Sequence, residues 1–411
     1  MKRLLLLALP LFVYGEDLKS LLEHAAGNNE LVVSKEYVQK AKQKELSSAQ
    51  SSYYPTIDAN AFYERDDEAT PFRAGTTYGA AVSVGLDIYD GGKKSYTNSQ
   101  KKEELNAASF SYKDSKKSML LSIAEDFYNL KTLHASLDAR VEASIAVKAQ
   151  LERMLQFYDA KLATSDDVDR LQSAYDSNIY AIESLKFEIE SLRSSLELRV
   201  GKKIESLDDS KFMKSLKEEK DELDSIQALK SNKKALINAG ETIDSYYYPN
   251  IRLEDTYTVY GYQDEPNMNG VPIPLLDNQN KLMATMSLRL VDFGVLGEQK
   301  AAAMLQAQAL NEQILYKSKE QMMQLSLAVK RIKTAELNIK SSQSALKSAT
   351  SALETITKKY NAGIVDNVVY LDALSSNTLA KALKEKSIND LEIAYAKYYY
   401  YNAKNIEEFL Q

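Results

Sequence analysis

The residues best suited to chemistry are carboxylates, and their surroundings argue against catalysis. Asp90-Gly91-Gly92 resembles the start of a phosphate loop but lacks the Lys-Ser/Thr pair such a loop needs. His24 and His134 lie far apart, give no metal-ligand spacing, and read as ordinary helix-surface residues. The chain has no cysteine, and no nucleophile stands in a recognisable base-and-orienter pattern. No enzyme activity, metal or cofactor is therefore expected. Asp166, Asp167 and Asp366 stand where a carboxylate can cap a helix start, a structural task. The net charge of -6 with both signs interspersed points to no nucleic-acid partner.

The elements that must position these residues come twice. The run from Tyr89 (YDGGKKSYTNSQ) returns from Val291 (VDFGVLGEQKAA). Asp90 maps to Asp292, Gly92 to Gly294, Tyr158 to Tyr360 and Ala160 to Ala362, all 202 residues apart. Pro55 and Pro249 are 194 apart, so the second copy carries about eight extra residues between proline and aspartate. The repeats are expected over 16–201 and 225–411, joined by a charged linker at 202–224.

The start of the chain, Met1-Lys2-Arg3 followed by an apolar run to Val13, has the layout of a secretory signal peptide cleaved after Gly15. That run is too short to span a bilayer as a helix. With only 14 Gly and 7 Pro, the rest favours long helices.

The first repeat reads as a helix from Glu16 to Ser51, a strand hairpin over 55–90, a long helix over 92–158 and a helix over 166–200. In the second, a helix over 225–246 leads to strands at 249–262 and 279–292. A long helix at 297–360 and a helix over 366–404 follow. Val82, Val84, Leu86 and Ile88 alternate with Ser83, Gly85 and Asp87, the two-residue period of a strand with one apolar and one polar face. Leu282, Ala284, Met286, Leu288 and Leu290 form the matching apolar set in the second copy.

Four such strands in an exported chain suggest a membrane β-barrel, and a barrel must close. Four strands cannot close alone, so the chain is expected to oligomerise, with three copies supplying twelve strands. Tyr53-Tyr54 and Tyr246-Tyr247-Tyr248, each just before a proline, fit an interfacial aromatic belt or simple packing against helix ends. Tyr398 to Tyr401 read as contact residues. Ala301 to Ala303, Ser341, Ser342 and Ser344 would let helices approach closely. The fold class expected is mainly α with a small β part: long helical hairpins plus four strands per chain.

These features together resemble the TolC family of outer-membrane export ducts. The resemblance rests on the duplication, the Tyr-Pro opening of each first strand, and the strand-to-helix turns Asp90-Gly91-Gly92 and Asp292-Phe293-Gly294. It rests also on two helix-hairpin tips, YDAKLATSDDVDRLQSAYD from Tyr158 and YNAGIVDNVVYLDALSS from Tyr360. It implies a homotrimer in the outer membrane of a Gram-negative bacterium, with a twelve-stranded barrel in the lipid and a helical tunnel in the periplasm. The implied partners are a periplasmic adaptor and an inner-membrane transporter of RND, ABC or MFS type, as in tripartite efflux or type I secretion.

The same resemblance places a periplasmic gate at the tips. Asp167 and Tyr360 match linking residues, and Asp372 matches a residue of an acidic ring that favours cations. Asp166, Gly363 and Asp366 complete the set. Three positions depart from the family pattern: Val369 stands for a ring aspartate, Val365 for a linking arginine, and Lys161 for the glycine of the first tip. The rival reading is a periplasmic coiled-coil scaffold or adaptor without channel activity.

Overall fold

The computed structural model describes residues 16–67, 73–216, 221–268 and 270–411; the signal segment expected at 1–15 lies outside them. The helices are α1 (Leu18–Asn28), α2 (Glu30–Ser51), α3 (Lys93–Asp159), α4 (Ser165–Val200), α5 (Asp224–Asp244), α6 (Val295–Asn361) and α7 (Asn367–Tyr401). The strands are β1 (Thr56–Arg65), β2 (Thr76–Tyr89), β3 (Asn250–Gln263), β4 (Asn267–Met268), β5 (Val271–Pro272) and β6 (Asn278–Ser287). Short 3-10 turns occupy Ser245–Tyr247 and Ile406–Phe409.

The chain forms two compact units, and neither is one of the repeats. One gathers the stretches up to Glu36, Tyr112–Asp224 and Lys317 onward; the other gathers Tyr37–Ser111 and Ser225–Tyr316. Each therefore draws on both copies of the duplication.

The second unit carries an antiparallel sheet in the order β1-β2-β3-β6. Its centre joins the two hairpins, with Val82 facing Tyr257 and Ala80 facing Val259. Both outer strands are exposed at every residue. The register puts Ile57, Val82, Val84, Leu86, Tyr257, Val259, Leu282 and Met286 on one face. Asp255, Asn278 and Asn280 interrupt that face. The opposite face carries Asp58, Ser83, Asp87, Arg252, Glu254, Thr256 and Lys281. There Arg252 reaches Asp87 (3.2 Å) and Glu254 (3.3 Å), while Lys94 stands 3.4 Å from Asp87. Gly85 leaves room for this guanidinium, since a Cβ there would lie 2.3 Å from Arg252 Nη2.

Below the sheet, Lys42 and Lys101 each pair with both Glu45 and Glu104, tying α2 to α3. On the other side Lys300 of α6 pairs with Glu241 and Asp244, the latter at the end of α5.

The first unit holds the main core. Leu18, Leu21, Leu22, Leu120, Ile123, Phe127, Tyr128, Leu196 and Phe212 are almost wholly buried there. Cutting one of its leucines to alanine would cost about 2–5 kcal/mol. Residues 202–216 lie along this core as an irregular strap without helix. Phe212 inserts between Tyr128 and Tyr399. The Phe212 N–H donates to Glu392 (2.7 Å), and the Tyr128 hydroxyl donates to the Ser210 carbonyl (3.0 Å). Burial raises the Glu392 carboxyl above its ordinary range.

Several expected boundaries move for visible reasons. The helix expected over 16–51 breaks at Asn29, whose Oδ1 accepts from Leu31 and Val32 N–H while its Nδ2 donates to the Arg199 carbonyl. The side chain caps α2 and so ends α1. The strand expected over 279–292 stops at Ser287, where its partner β3 begins at Asn250 and offers no further residue to pair with. The last helix ends at Tyr401 rather than 404, as Ala403 takes a left-handed conformation (φ 59°). His134 is half-buried rather than a surface residue; burial and Arg193 lower its pKa. Ser342 is buried and meets Ser387 Oγ at 2.7 Å, whereas Ser341, Ser344, Ala301 and Ala302 are exposed.

Candidate functional site: the helix tips and strand-to-helix turns

The two tips sit where α3 hands over to α4 and α6 to α7. Both long helices end in the same hydrogen-bond pattern. In the first, Leu162 N–H donates to the Phe157 carbonyl (2.7 Å) and Lys161 N–H to Tyr158 (2.9 Å). In the second, Ile364 N–H donates to Lys359 (2.9 Å) and Gly363 N–H to Tyr360 (3.0 Å). This paired closure needs a left-handed residue after the helix. Gly363 supplies it with φ 72°, and Lys161 supplies it with φ 61° against the steric preference of its Cβ.

The following helices start differently. Thr164 caps α4: its Oγ1 accepts from the Asp167 N–H, and the Asp167 carboxylate accepts in return from the Thr164 N–H (both 3.3 Å). Asp167 is thus the third helical residue of a reciprocal box rather than the cap itself. Asp166 holds Arg170 at 2.8 Å one turn on. In the second tip Asp366 is itself the cap and accepts from the Val369 N–H (3.0 Å).

Three contacts join the tips within one chain. The buried Asn367 Nδ2 donates to the backbone and side-chain oxygens of Asp167, both at 3.2 Å. Arg153 of α3 donates to Asn361 Oδ1 (2.7 Å) and stacks over Phe157. Tyr360 and Tyr370 stack at 4.9 Å within a cluster that includes Val147, Leu151 and Leu171. Burial raises both phenols; at Tyr360 the Arg153 charge pulls down and Asp167 pushes up.

The structure therefore brings Asp167 and Tyr360 into one knot and sets Asp166 and Asp366 at its helix starts. Asp372 does not join it and lies exposed on α7. Exposed apolar side chains frame the tips: Leu162 at 77% and Ile364 at 70%.

Asn367, Arg153 and Asn361 were missed by sequence reasoning. Thr164-x-x-Asp167 carried a readable signal, because a hydroxyl residue three before an acid opens a capping box. No local pattern announces Asn367, whose partner is 200 residues away.

The strand-to-helix turns repeat each other closely. Asp90 accepts from the Gly92 (3.1 Å) and Lys94 (2.8 Å) N–H groups. Asp292 accepts from Gly294 and Leu296, both at 3.0 Å, and from the Tyr247 hydroxyl at 3.1 Å. The Leu296 N–H, with Gly294 and Tyr247, holds the Asp292 carboxyl below its ordinary range. Gly91 has φ 67°, and a Cβ there would lie 2.5 Å from the Ser245 carbonyl. Its counterpart Phe293 takes φ 54° and is almost wholly exposed.

Tyr53, Tyr54, Tyr246, Tyr247 and Tyr248 are all partly exposed at the helix end of the sheet. The second trio has additional work: Lys93 lies 4.6 Å from the Tyr246 ring, and Tyr248 backs onto Gly91.

Among the described residues no acidic or histidine cluster could hold a metal, and no helix is long and apolar enough to cross a membrane. The fold class is defined by long antiparallel helices joined at paired tips, together with an open two-faced sheet. Residues 21–186 match the family of outer membrane efflux proteins. The fold is similar to the outer membrane protein VceC of Vibrio cholerae, with 15% identity, TM-score 0.80, and 95% and 96% of the two chains covered. It is similar also to the Campylobacter jejuni CmeC outer membrane channel, with 14% identity, TM-score 0.83, and 95% and 86% covered. The open state of the Neisseria gonorrhoeae MtrE outer membrane channel gives 13% identity, TM-score 0.79, and 95% and 89% covered. A comparison with curated proteins finds no match. The family match falls on the first repeat, while the likeness to solved outer membrane channels in fold extends over nearly the whole chain.

Proposed function

We propose that this chain is one third of a passive exit duct in the outer membrane of a Gram-negative bacterium. The observation that carries the reading is the sheet. It bares an apolar face and, among the described residues, leaves the outer edges of β1 and β6 without a neighbouring strand, and such a sheet can enter lipid only when other strands complete it. Four strands per chain make a twelve-stranded barrel from three copies. The apolar face then meets lipid and the Arg252 face lines water. Tyr53, Tyr54, Tyr246, Tyr247 and Tyr248 lie at the level of an inner headgroup belt.

The helical hairpins would form the periplasmic wall, with Asp166, Asp167, Tyr360, Gly363, Asp366 and Asp372 at its gated end. A periplasmic adaptor and an inner-membrane transporter of RND, ABC or MFS type would deliver cargo there, in tripartite efflux or type I secretion. The scaffold or adaptor alternative gains no support from an unfinished two-faced sheet.

Single-channel recording tests the gate assignment. Asp372→Ala is expected to weaken cation preference and block by multivalent cations, because three symmetric carboxylates would stand near the axis. Unchanged selectivity would remove Asp372 from the constriction.

A further inference from the structure

The water-facing side of the sheet has three aromatic exceptions to its polar pattern, all near the hairpin end. Phe62 of β1 and Tyr260 of β3 flank Gly79 of β2 on that side. Their rings meet edge to face with centroids 5.9 Å apart. Tyr262, two residues on, stacks on Tyr260 at 6.2 Å and 12°. The Tyr262 hydroxyl donates to the Leu276 carbonyl (2.8 Å), and the Tyr260 N–H donates to the Asp277 carbonyl (2.9 Å). The trio is thus fixed against the irregular segment that leads into β6.

Gly79 makes the arrangement possible. A Cβ there would lie 2.3 Å from the Val259 carbonyl oxygen and 2.9 Å from Phe62 Cζ. On the opposite, apolar face Tyr78 covers Gly261 in the same way. Aromatic rings on the polar face fill no gap in a core. Phe62 is 36% exposed, and the tyrosines are half-buried. They present ring surface to whatever passes.

The surrounding charge selects what would settle on them. Glu64, Asp66, Asp67, Asp264, Glu265 and Asp277 stand at the same end of the sheet. Against them are Arg65 and Arg73, the latter already paired with Glu64 and Asp66. Ring faces under a negative potential attract cations that are themselves flat or apolar, through stacking and cation–π attraction.

We infer that Phe62, Tyr260 and Tyr262 form an aromatic subsite just inside the outer mouth that binds organic cations bearing aromatic rings as they leave. This rests on the duct reading, which sets this face toward water. Three copies would place nine rings around the bore.

The test is block of current through the full-length protein in planar lipid films. Tetraphenylphosphonium serves as the aromatic cation and tetraethylammonium as the cation without rings. Wild-type protein is expected to be blocked preferentially by tetraphenylphosphonium. Phe62→Leu with Tyr260→Leu keeps bulk and removes two ring faces; it is expected to weaken that block roughly tenfold while leaving open conductance and tetraethylammonium block unchanged. Tyr260→Phe, which keeps the ring, is expected to retain the block. Equal tetraphenylphosphonium block in wild-type and leucine proteins, with conductance intact, overturns the subsite and leaves the duct standing. Wild-type protein that conducts nothing overturns the duct, and the subsite with it.

Discussion

The two helix tips perform one task with different residues. Both end a long helix through the same pair of backbone hydrogen bonds, yet the left-handed position is glycine in the second tip and lysine in the first. Both begin the next helix with an oxygen cap, yet one uses Thr164 backed by Asp167 and the other Asp366 alone. After duplication, the backbone geometry has been held while side chains drifted. At the first tip Asp167 both completes the capping box and ties the tip to the second through Asn367.

The tie is the place to break this comparison hardest. Asn367→Ala removes both hydrogen bonds of a buried amide and is expected to cost about 1–3 kcal/mol. Hydrogen exchange should show faster opening at both tips, not only at α7. Exchange confined to α7 would mean the tips are independent.

Exchanging the left-handed residues sharpens it next. Gly363→Lys is expected to lower stability by about 1 kcal/mol, a cost of backbone conformation alone because the space around Gly363 is open. Lys161→Gly is expected to raise it by a similar or smaller amount. Thermal unfolding followed by circular dichroism reads both. Shifts of the same sign would show that the lysine side chain contributes something its backbone position hides.

The smallest difference between the two copies lies at the strand-to-helix turns. Asp90→Ala is expected to cost about 1 kcal/mol as the start of α3 loses its cap. Asp292→Ala is expected to cost more, since Asp292 also holds the Tyr247 hydroxyl. Equal losses in urea unfolding would show that the tyrosine contact is idle.

Much of this was readable from residue order. The apolar and polar alternation around Val82 gave the strand faces, and proline or glycine marked most helix ends. Asp90 and Asp292 were legible as a repeated turn because cap chemistry is local. The break at Asn29 was not, because the residue caps one helix while gripping the Arg199 carbonyl, 170 positions away. The early end of β6 was hidden too: Leu288 and Leu290 keep the strand period, but pairing stops where β3 begins. The tip knot of Asp167, Asn367, Arg153 and Asn361 depends on two hairpins meeting, which no window of sequence contains. Two compact units, each drawn from both repeats, escaped detection for the same reason.

Everything functional depends on whether the two bare edges of the sheet are completed by identical copies. The mass of the folded particle, extracted from membranes in mild detergent, tests this most directly. Three chains per particle is the predicted result, and a folded particle holding a single chain would contradict it.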